Sequence, residues 1–170
     1  MEKQRLREQL RIKRVTLDYL DQFNQLLRYV FQVTNQDLLE GGYEDGELVQ
    51  SKRPLLERAD AFGWFNEETL ISLICVYPCR VNVHGRIFEM GGLTGVGTYP
   101  EYAGMGLMHE LIQVGLRKMR QRGQWISYLY PYSIPFYRRR GWEILSDQIT
   151  YTVKDYQIPK AVEVPGFVER

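Results

Sequence analysis

GGLTGVGTYPEYAGMGLMHELIQVGLRKMRQ, residues 91–121, is the stretch of this chain that decides its fold. It divides into a glycine-rich strand from Gly91 to Thr98, a turn, and a helix that begins near Gly106. The helix is predicted because small or apolar residues recur at the spacing of one buried helical face. These residues are Met108, Leu111, Ile112, Gly115, Leu116 and Met119. Gly123 follows at the position where glycine commonly ends a helix.

The turn between this strand and this helix has two interpretations. The first N–H groups of a helix have no partner within it, and with the helix dipole they attract an anion such as phosphate. Gly104 and Gly106 lack a β-carbon, so a ligand can approach the backbone closely there. In the alternative interpretation the glycines only serve the turn, and this segment by itself leaves both open.

Two blocks of the sequence resemble the GNAT N-acetyltransferases. Residues 100–108, PEYAGMGLM, are similar to that family's acyl-CoA pyrophosphate loop, whose core pattern is Gln/Arg-x-x-Gly-x-Gly/Ala. Gly106 matches the central glycine, whereas Ala103 and Met108 depart from the first and last positions. Residues 134–142, IPFYRRRGW, resemble the late helix that carries the family's catalytic tyrosine. The blocks follow each other in the family's order and at about its spacing.

The resemblance implies an α/β (α+β) fold of the GNAT type. Its central sheet is mixed and mostly antiparallel, with helices on both faces and a parallel strand pair that splays at the acyl-CoA site. Acetyl-CoA is the implied cosubstrate, without a metal, and Tyr137 is the implied acid for the leaving thiolate. The implied cofactor contacts are Val96, Gly97, Thr98, Ala103, Gly104, Met105, Gly106, Leu107 and Met108.

The closer likeness is to the Eis-like (enhanced intracellular survival) branch, which tolerates a bulky residue such as Met108. Its members begin with a GNAT domain of about this size and continue into a second GNAT-like domain and a sterol-carrier-protein-like domain. We therefore expect residues 1–153 to form the acyl-CoA-binding domain. Residues 154–170 read as a linker or tail toward domains absent from this chain. The branch takes its base from the C-terminal carboxylate of the full-length chain, so slow acetylation is expected here.

Composition limits the partners. Lys and Arg number 22 and Asp and Glu number 21, so no basic excess favours a nucleic-acid partner. No apolar run approaches the roughly 20 residues of a membrane span. The charged first residues do not resemble a signal peptide. The expectation is a cytoplasmic protein that forms a homo-oligomer in its full-length form and has neither nucleic-acid nor membrane partners.

The two cysteines, Cys75 and Cys79, fall on the same side of an apolar strand. Buried structural thiols are expected rather than a disulfide or a metal site, since free cysteine is among the most buried residue types. No His or Cys stands at metal-ligand spacing from them. His84 and His109 have no Ser or Cys nucleophile motif around them, which excludes a hydrolase triad.

The other elements follow from periodicity and turn residues. A first strand is expected over 10–15, then a helix capped by Thr16 or Asp18 with a buried stripe. The stripe consists of Leu20, Phe23, Leu26, Leu27, Val30 and Phe31. Strands are expected over 61–66, 70–83, 86–98, 125–130 and 143–153, and a short helix ends near Arg139. The strand over 125–130 should be buried and parallel to the glycine-rich strand, whose glycines indicate either a bulge or simple bends.

Three features keep two interpretations each. The acidic residues Glu40, Glu44, Asp45 and Glu47 form either a solvated loop or a lip that attracts a cationic amine. Tyr137 is either the acid or an aromatic residue packed on the sheet. Arg138, Arg139 and Arg140 either hold CoA phosphates or, for at least two of them, are surface charges.

Two functions are therefore predicted as alternatives. The first is an N-acetyltransferase that moves an acetyl group from acetyl-CoA to a primary amine. The acceptor is a small molecule or a peptidyl amine, of aminoglycoside, polyamine or lysine type. The second is a non-catalytic CoA-binding or interaction domain of a larger protein, suggested by the missing motif arginine at Ala103.

Overall fold

The computed structural model describes residues 2–44, 47–48, 51–147 and 149–158. The chain divides into two units, Met1–Pro131 and Tyr132–Arg170. Helices are α1 (Glu2–Gln9), α2 (Leu20–Phe31), α3 (Asn35–Glu40), α4 (Arg53–Arg58), α5 (Leu107–Gln121) and α6 (Ile134–Arg138). Strands are β1 (Arg11–Arg14), β2 (Asp60–Asn66), β3 (Thr69–Val83), β4 (Arg86–Thr98) and β5 (Ile126–Tyr128). Short 3-10 helices cover Leu17–Tyr19, Pro100–Tyr102 and Asp155–Gln157.

The sheet of the first unit has its strands side by side in chain order, from β1 to β5. The first three pairs are antiparallel, and β4 and β5 are parallel. The predicted mixed sheet with one parallel pair is confirmed. The hairpin between β3 and β4 turns at His84 and Gly85, whose φ angles are 49° and 83°. Two successive positive φ values are what a two-residue type I′ turn requires, so its twist matches the flanking strands.

Helices α2 and α5 cover opposite faces of the sheet. A β-carbon added at Gly115 of α5 would lie 2.8 Å from Ile74 Cδ1, so α5 packs directly on β3. The neighbouring β3 residues Leu73 and Cys75 belong instead to the core cluster with Phe23 of α2. Successive side chains of a strand point to opposite faces of the sheet, so β3 contacts α5 through one set and α2 through the other.

Helix α5 begins and ends as its glycines predict. Gly106 is its N-terminal flanking residue with φ 76°, and Gly123 follows it with φ 68°. The helix buries Leu107, Leu111, Ile112, Gly115 and Met119. The predicted stripe was wrong at Leu116, which is 40% exposed. The buried face of α5 is narrower than the sequence indicates, because α5 approaches the sheet most closely at Gly115 and Leu116 lies beside that contact.

Gly63 of β2 lies in the tightest of these packing sites. A β-carbon there would be 2.3 Å from Leu70 Cδ1 and 2.9 Å from the Ser72 carbonyl oxygen. We expect Gly63→Ala to lower the free energy of unfolding by about 1–3 kcal/mol through overpacking. Urea unfolding measures it. Gly92→Ala is the control, since its β-carbon would meet nothing closer than Cys79 Sγ at 3.4 Å. Equal midpoints for the two variants would contradict the packing argument.

The helix α2 differs from its prediction in two places. Phe31 is 55% exposed rather than part of the buried stripe, because α2 ends at that residue. Neither Thr16 nor Asp18 caps α2, since a 3-10 turn over Leu17–Tyr19 precedes it and no side chain caps its start. Asn24 is buried instead, where its amide donates to the Leu48 carbonyl at 2.9 Å.

The predicted buried strand over 125–130 is wrong in extent and burial. β5 has only Ile126–Tyr128, while Trp125 and Tyr130 are 75% and 85% exposed. Its parallel pairing with β4 is confirmed, with Met90 opposite Ile126 and Gly92 opposite Tyr128. The three residues of β5 pair with β4, but Trp125 and Tyr130 lie outside this ladder and their rings are not buried by it.

In the second unit, the predicted strand over 143–153 does not form. The described residues of this segment have no regular secondary structure. Ile144, Leu145 and Tyr151 are 50%, 71% and 80% exposed. Their alternation is only approximate, and an extended segment becomes a strand only when a neighbour pairs with its backbone groups. In the predicted tail, Asp155–Gln157 is a 3-10 helix, whereas Pro159, Val164, Pro165 and Gly166 lie outside the described residues.

Cys75 and Cys79 are both free thiols, the first fully buried and the second half-buried. Across the described ranges, no His, Cys, Asp or Glu side chains cluster as metal ligands do. No helix in those ranges is long and apolar enough to cross a bilayer.

Candidate functional site

The loop before α5 is shaped by two glycines in the left-handed region. Gly104 has φ 77° and Gly106 has φ 76°, a conformation that costs other residues energy. A β-carbon added at Gly104 would meet no atom within 4 Å, and one at Gly106 would meet only Arg7 Nη1, at 3.8 Å. The loop therefore has open space over both glycines, and a ligand can reach its backbone.

One N–H group of this loop already donates a hydrogen bond within it, and others belong to the first turn of α5. Ala103 N–H donates to the Pro100 carbonyl at 3.0 Å, which closes the 3-10 turn. Leu107 and Met108 begin α5, where no preceding carbonyl is in place to accept from the first N–H groups. Because the dipole of a 15-residue helix also ends here, the site favours an anion. The N–H groups of Leu107 and Met108 therefore remain for a ligand at the start of α5, whereas the use of Ala103, Gly104, Met105, Gly106, Leu107 and Met108 as cofactor contacts stays a prediction.

The strand β4 contains a bulge at its glycines. Gly97 pairs with Leu73 and Thr94 pairs with Cys75, so Gly95 and Val96 stand opposite Ile74 alone. Gly95 has φ 59°, the left-handed value typical of such a bulge. Its β-carbon would lie 3.1 Å from Cys75 Sγ, which leaves little room for any side chain. The bulge interpretation of the strand glycines is therefore confirmed at Gly95.

After Gly92, β4 has an open edge: within the described ranges no strand pairs with it there on the side away from β3. The ladder to β5 ends at Gly92 opposite Tyr128, whereas β4 continues to Thr98. Leu93, Thr94, Gly97 and Thr98 pair with β3 on one side, and none of residues 93–98 has a β5 partner on the other. The predicted contacts Val96, Gly97 and Thr98 all lie on this segment. An extended amide chain can add to such an edge as a further strand does.

A groove lies beside the end of β4. It has a volume of about 770 Å³, and we call it the α2 groove. Its lining consists of Gln25, Arg28, Tyr29, Val30, Gln32, Val33, Thr34, Thr98 and Pro100. Arg28 is the charged residue of that lining, and its Nε donates to the Val33 carbonyl at 3.4 Å. Tyr29 is 56% exposed, with its ring 5.3 Å from that of Tyr99. The groove adjoins the open edge at Thr98.

Arg7 is a residue of this region that sequence reasoning missed. Its guanidinium donates to the Met105 carbonyl and to the Glu110 carboxylate, and it lies over the Trp64 ring. Trp64 Nε1 in turn donates to the Leu107 carbonyl at 3.0 Å. No local pattern indicates such a contact, because Arg7 is 98 positions from Met105 in the chain.

Tyr137 belongs to the second unit, on α6. Its side chain is 4% exposed and packs edge-on against the rings of Phe136 and Trp142. Burial, reinforced by Tyr132, raises the pKa of Tyr137 to about 12, although Arg140 acts in the opposite direction. The phenol is thus protonated throughout the neutral range and can act only as a proton donor there.

Two of the three arginines after Tyr137, Arg138 and Arg140, have different surroundings. Arg138 forms a bidentate pair with Glu143, and this pair holds the pKa of Glu143 low, at about 2. Arg140 stacks 3.7 Å from the centre of the Phe136 ring. Arg138 is exposed and fits the surface interpretation, whereas Arg140 is half-buried, and a role of either in holding CoA phosphates stays a prediction.

Glu40, Glu44 and Glu47 are exposed, and each takes part in a hydrogen bond with a residue nearby in the chain. Gln36 donates to the Glu40 carboxylate at 2.8 Å, and Glu44 N–H donates to Glu47 at 3.0 Å. Asp45 lies outside the described residues. The lip interpretation of this cluster stays a prediction.

Known proteins are similar to this chain in sequence and in fold. Residues 11–145 match the family model of the acetyltransferase (GNAT) domain. A probable N-acyltransferase from Enterococcus faecalis is 28% identical with a TM-score of 0.68. A GCN5-related N-acetyltransferase from Kribbella flavida is 25% identical with a TM-score of 0.64. In each case the similarity covers 78% of this chain but only 32% of the other.

A structure of a predicted acetyltransferase with acetyl-CoA from Clostridium acetobutylicum is 12% identical. Its TM-score is 0.65, over 84% of this chain and 96% of that one, and it shows a shared fold. No curated protein matches this chain at a significant level. Since the matching family model spans residues 11–145, most of the chain, this protein belongs to the GNAT acetyltransferase family.

Proposed function

We propose that this chain is an N-acetyltransferase domain that moves an acetyl group from acetyl-CoA to a primary amine. The observation that carries the proposal is the open edge of β4 over residues 93–98, which leads directly to the glycine loop of α5. A pantetheine chain has amide groups that suit an open strand edge. A diphosphate suits the helix terminus at the end of that edge. One molecule, an acyl-CoA, contains both groups in this order.

The reaction forms a C–N bond and breaks a C–S bond. The free amine has a pKa of about 10.4, so its ammonium form must first pass a proton to water before the neutral nitrogen attacks the thioester carbonyl. A backbone N–H of residues 96–98 is our candidate donor to the oxyanion. Tyr137 is our candidate acid for the departing thiolate, and its pKa of about 12 keeps the needed proton in place.

The α2 groove is our candidate acceptor site, and the charge of its lining predicts which acceptors bind best. Arg28 is its charged residue, so a second cationic group on an acceptor is disfavoured there while a carboxylate is favoured. We therefore propose a lysine-like acceptor in preference to a polyamine or an aminoglycoside. Among the described lining residues there is no carboxylate to act as a base, which supports slow turnover by this chain.

Release of free CoA thiol from acetyl-CoA, measured with a panel of amines, tests the proposal. Lysine and cadaverine form a matched pair, since they differ in the carboxylate alone. We expect amine-dependent release, with kcat/KM several-fold higher for lysine, and an N-acetyl product by mass spectrometry. Acetyl-CoA binding without turnover for any amine would favour the non-catalytic CoA-binding alternative. Absence of both binding and turnover would refute the proposal, and preference for cadaverine would refute the role of the groove.

A finer placement belongs to the same proposal. The match over 32% of the Enterococcus faecalis chain, together with Met108 in the loop, supports kinship with the Eis-like branch. We place such a protein in the cytoplasm, as a homo-oligomer in its full-length form. Light scattering of a full-length relative would contradict the last point if it showed a monomer.

A further inference from the structure

The loop that we assign to the diphosphate lacks a cation of its own. From Tyr99 to Met108 its one charged side chain is Glu101, and the next acidic residue, Glu110, stands in the first turn of α5. A diphosphate is negatively charged at neutral pH. Backbone N–H groups and a helix dipole attract it, but two nearby carboxylates oppose it. A cation from elsewhere in the fold would remove that opposition.

Arg7 of α1 lies where such a cation is needed. Its Nη1 is 3.8 Å from the position of a β-carbon on Gly106, so it borders the space that the glycine leaves open. Its side chain is 33% exposed, which leaves part of the guanidinium accessible. Met105 and Glu110 accept from Nη1 and Nη2 respectively. A guanidinium has five N–H donors in a planar fork, so donors remain for phosphate oxygens.

The contacts around Arg7 also hold it in place. The pair with Glu110 ties the guanidinium to α5, and the Trp64 ring lies under it with its centre 5.7 Å from Cζ. Trp64 is itself buried and bonded to the Leu107 carbonyl at the first residue of α5. The side chain is thus oriented before any ligand arrives, which reduces the entropy lost on binding.

We propose that Arg7 is a binding residue for the diphosphate of acyl-CoA and that Glu110 positions it. The inference rests on the proposed function, because it needs an acyl-CoA in the loop. It also sets a specificity. Arg7 makes the site select thioesters that carry the CoA diphosphate over the same acyl group on pantetheine alone.

Arg7→Met tests the inference. Two acetyl donors, acetyl-CoA and S-acetyl-pantetheine, are compared in the wild type and the variant. We expect the Kd of acetyl-CoA, measured by calorimetry, and its KM to rise at least tenfold, with kcat nearly unchanged. S-acetyl-pantetheine lacks the diphosphate, so its kcat/KM should stay the same. Arg5→Met is the matched control, since Arg5 is exposed on the same helix and loses the same charge. Arg5→Met should leave the Kd and KM of acetyl-CoA and the kcat/KM of S-acetyl-pantetheine at their wild-type values.

Two more variants separate direct binding from other roles. Arg7→Lys keeps the charge without the fork and should be intermediate between wild type and Arg7→Met. Arg7→Met combined with Glu110→Gln removes both charges. If this pair regains wild-type affinity, Arg7 only neutralises Glu110, and the proposal is wrong. Equal losses for acetyl-CoA and S-acetyl-pantetheine would also overturn it, since Arg7 would then only shape the loop.

The wild type separates this inference from the proposed function. If wild-type protein binds acetyl-CoA and Arg7→Met binds it equally well, the inference fails while the proposed function stands. If wild-type protein binds no acetyl-CoA, the proposed function itself fails. Thermal unfolding of every variant checks that α1 and the loop remain folded.

Discussion

Tyr137→Phe is expected to lower kcat by about 10²–10⁴-fold, with little change in the affinity for acetyl-CoA. The substitution keeps the ring and its edge-on contacts with Phe136 and Trp142, so the packing of α6 is preserved. It removes only the hydroxyl that we assign to protonation of the thiolate. Burial raises the pKa of that hydroxyl to about 12, so it remains a donor at every pH used in the assay.

The measurement is a single-turnover rate with chemistry as the slow step. Tyr151→Phe is the matched control, because Tyr151 is 80% exposed in the same unit and should give the wild-type rate. The pH dependence is a second check. Since Tyr137 loses its proton only near pH 12, it should cause no decline in kcat between pH 7 and 10. A wild-type rate for Tyr137→Phe would remove this residue from the mechanism.

Gly106→Glu is expected to raise the Kd of acetyl-CoA more than 100-fold, to the limit of detection by calorimetry. The new β-carbon would lie 3.8 Å from Arg7 Nη1, so the carboxylate can pair with Arg7 inside the proposed diphosphate site. The variant would then carry its own anion at the start of α5, where a phosphate is expected. The φ of 76° adds about 1–2 kcal/mol of strain, which the favourable charge at the helix terminus partly offsets.

Gly123→Glu is the control at the other end of α5. Gly123 has φ 68° and no atom within 4 Å of a β-carbon, so the same strain and charge are added away from the loop. It should lose stability and keep its affinity for acetyl-CoA. If Gly106→Glu bound acetyl-CoA as tightly as wild type, the loop would not be the diphosphate site.

The backbone of the candidate site was predictable from sequence where it depends on local geometry. Gly104 and Gly106 have the left-handed backbone conformation that few other residues adopt, so the turn can be predicted from one short segment. For the glycines of β4 the sequence left a bulge and simple bends open, and only the structure decided for a bulge at Gly95. Arg7 was not predictable, because a single arginine in a charged segment carries no periodic or spacing pattern. Its role depends on how α1 meets the start of α5.

The sequence by itself determined the order of β1 to β5 with α2, α5 and α6, the hairpin at His84 and Gly85, and the limits of α5, but not α1, α3 or α4. Each of these depends on neighbours within a few positions, through side-chain period or positive φ. The tertiary structure alone decided which predicted faces were buried and which segments paired. Leu116 and Phe31 are apolar at helical spacing yet exposed, since burial depends on what packs opposite. Residues 143–153 alternate like a strand yet form none, because a ladder requires a partner that no local pattern specifies.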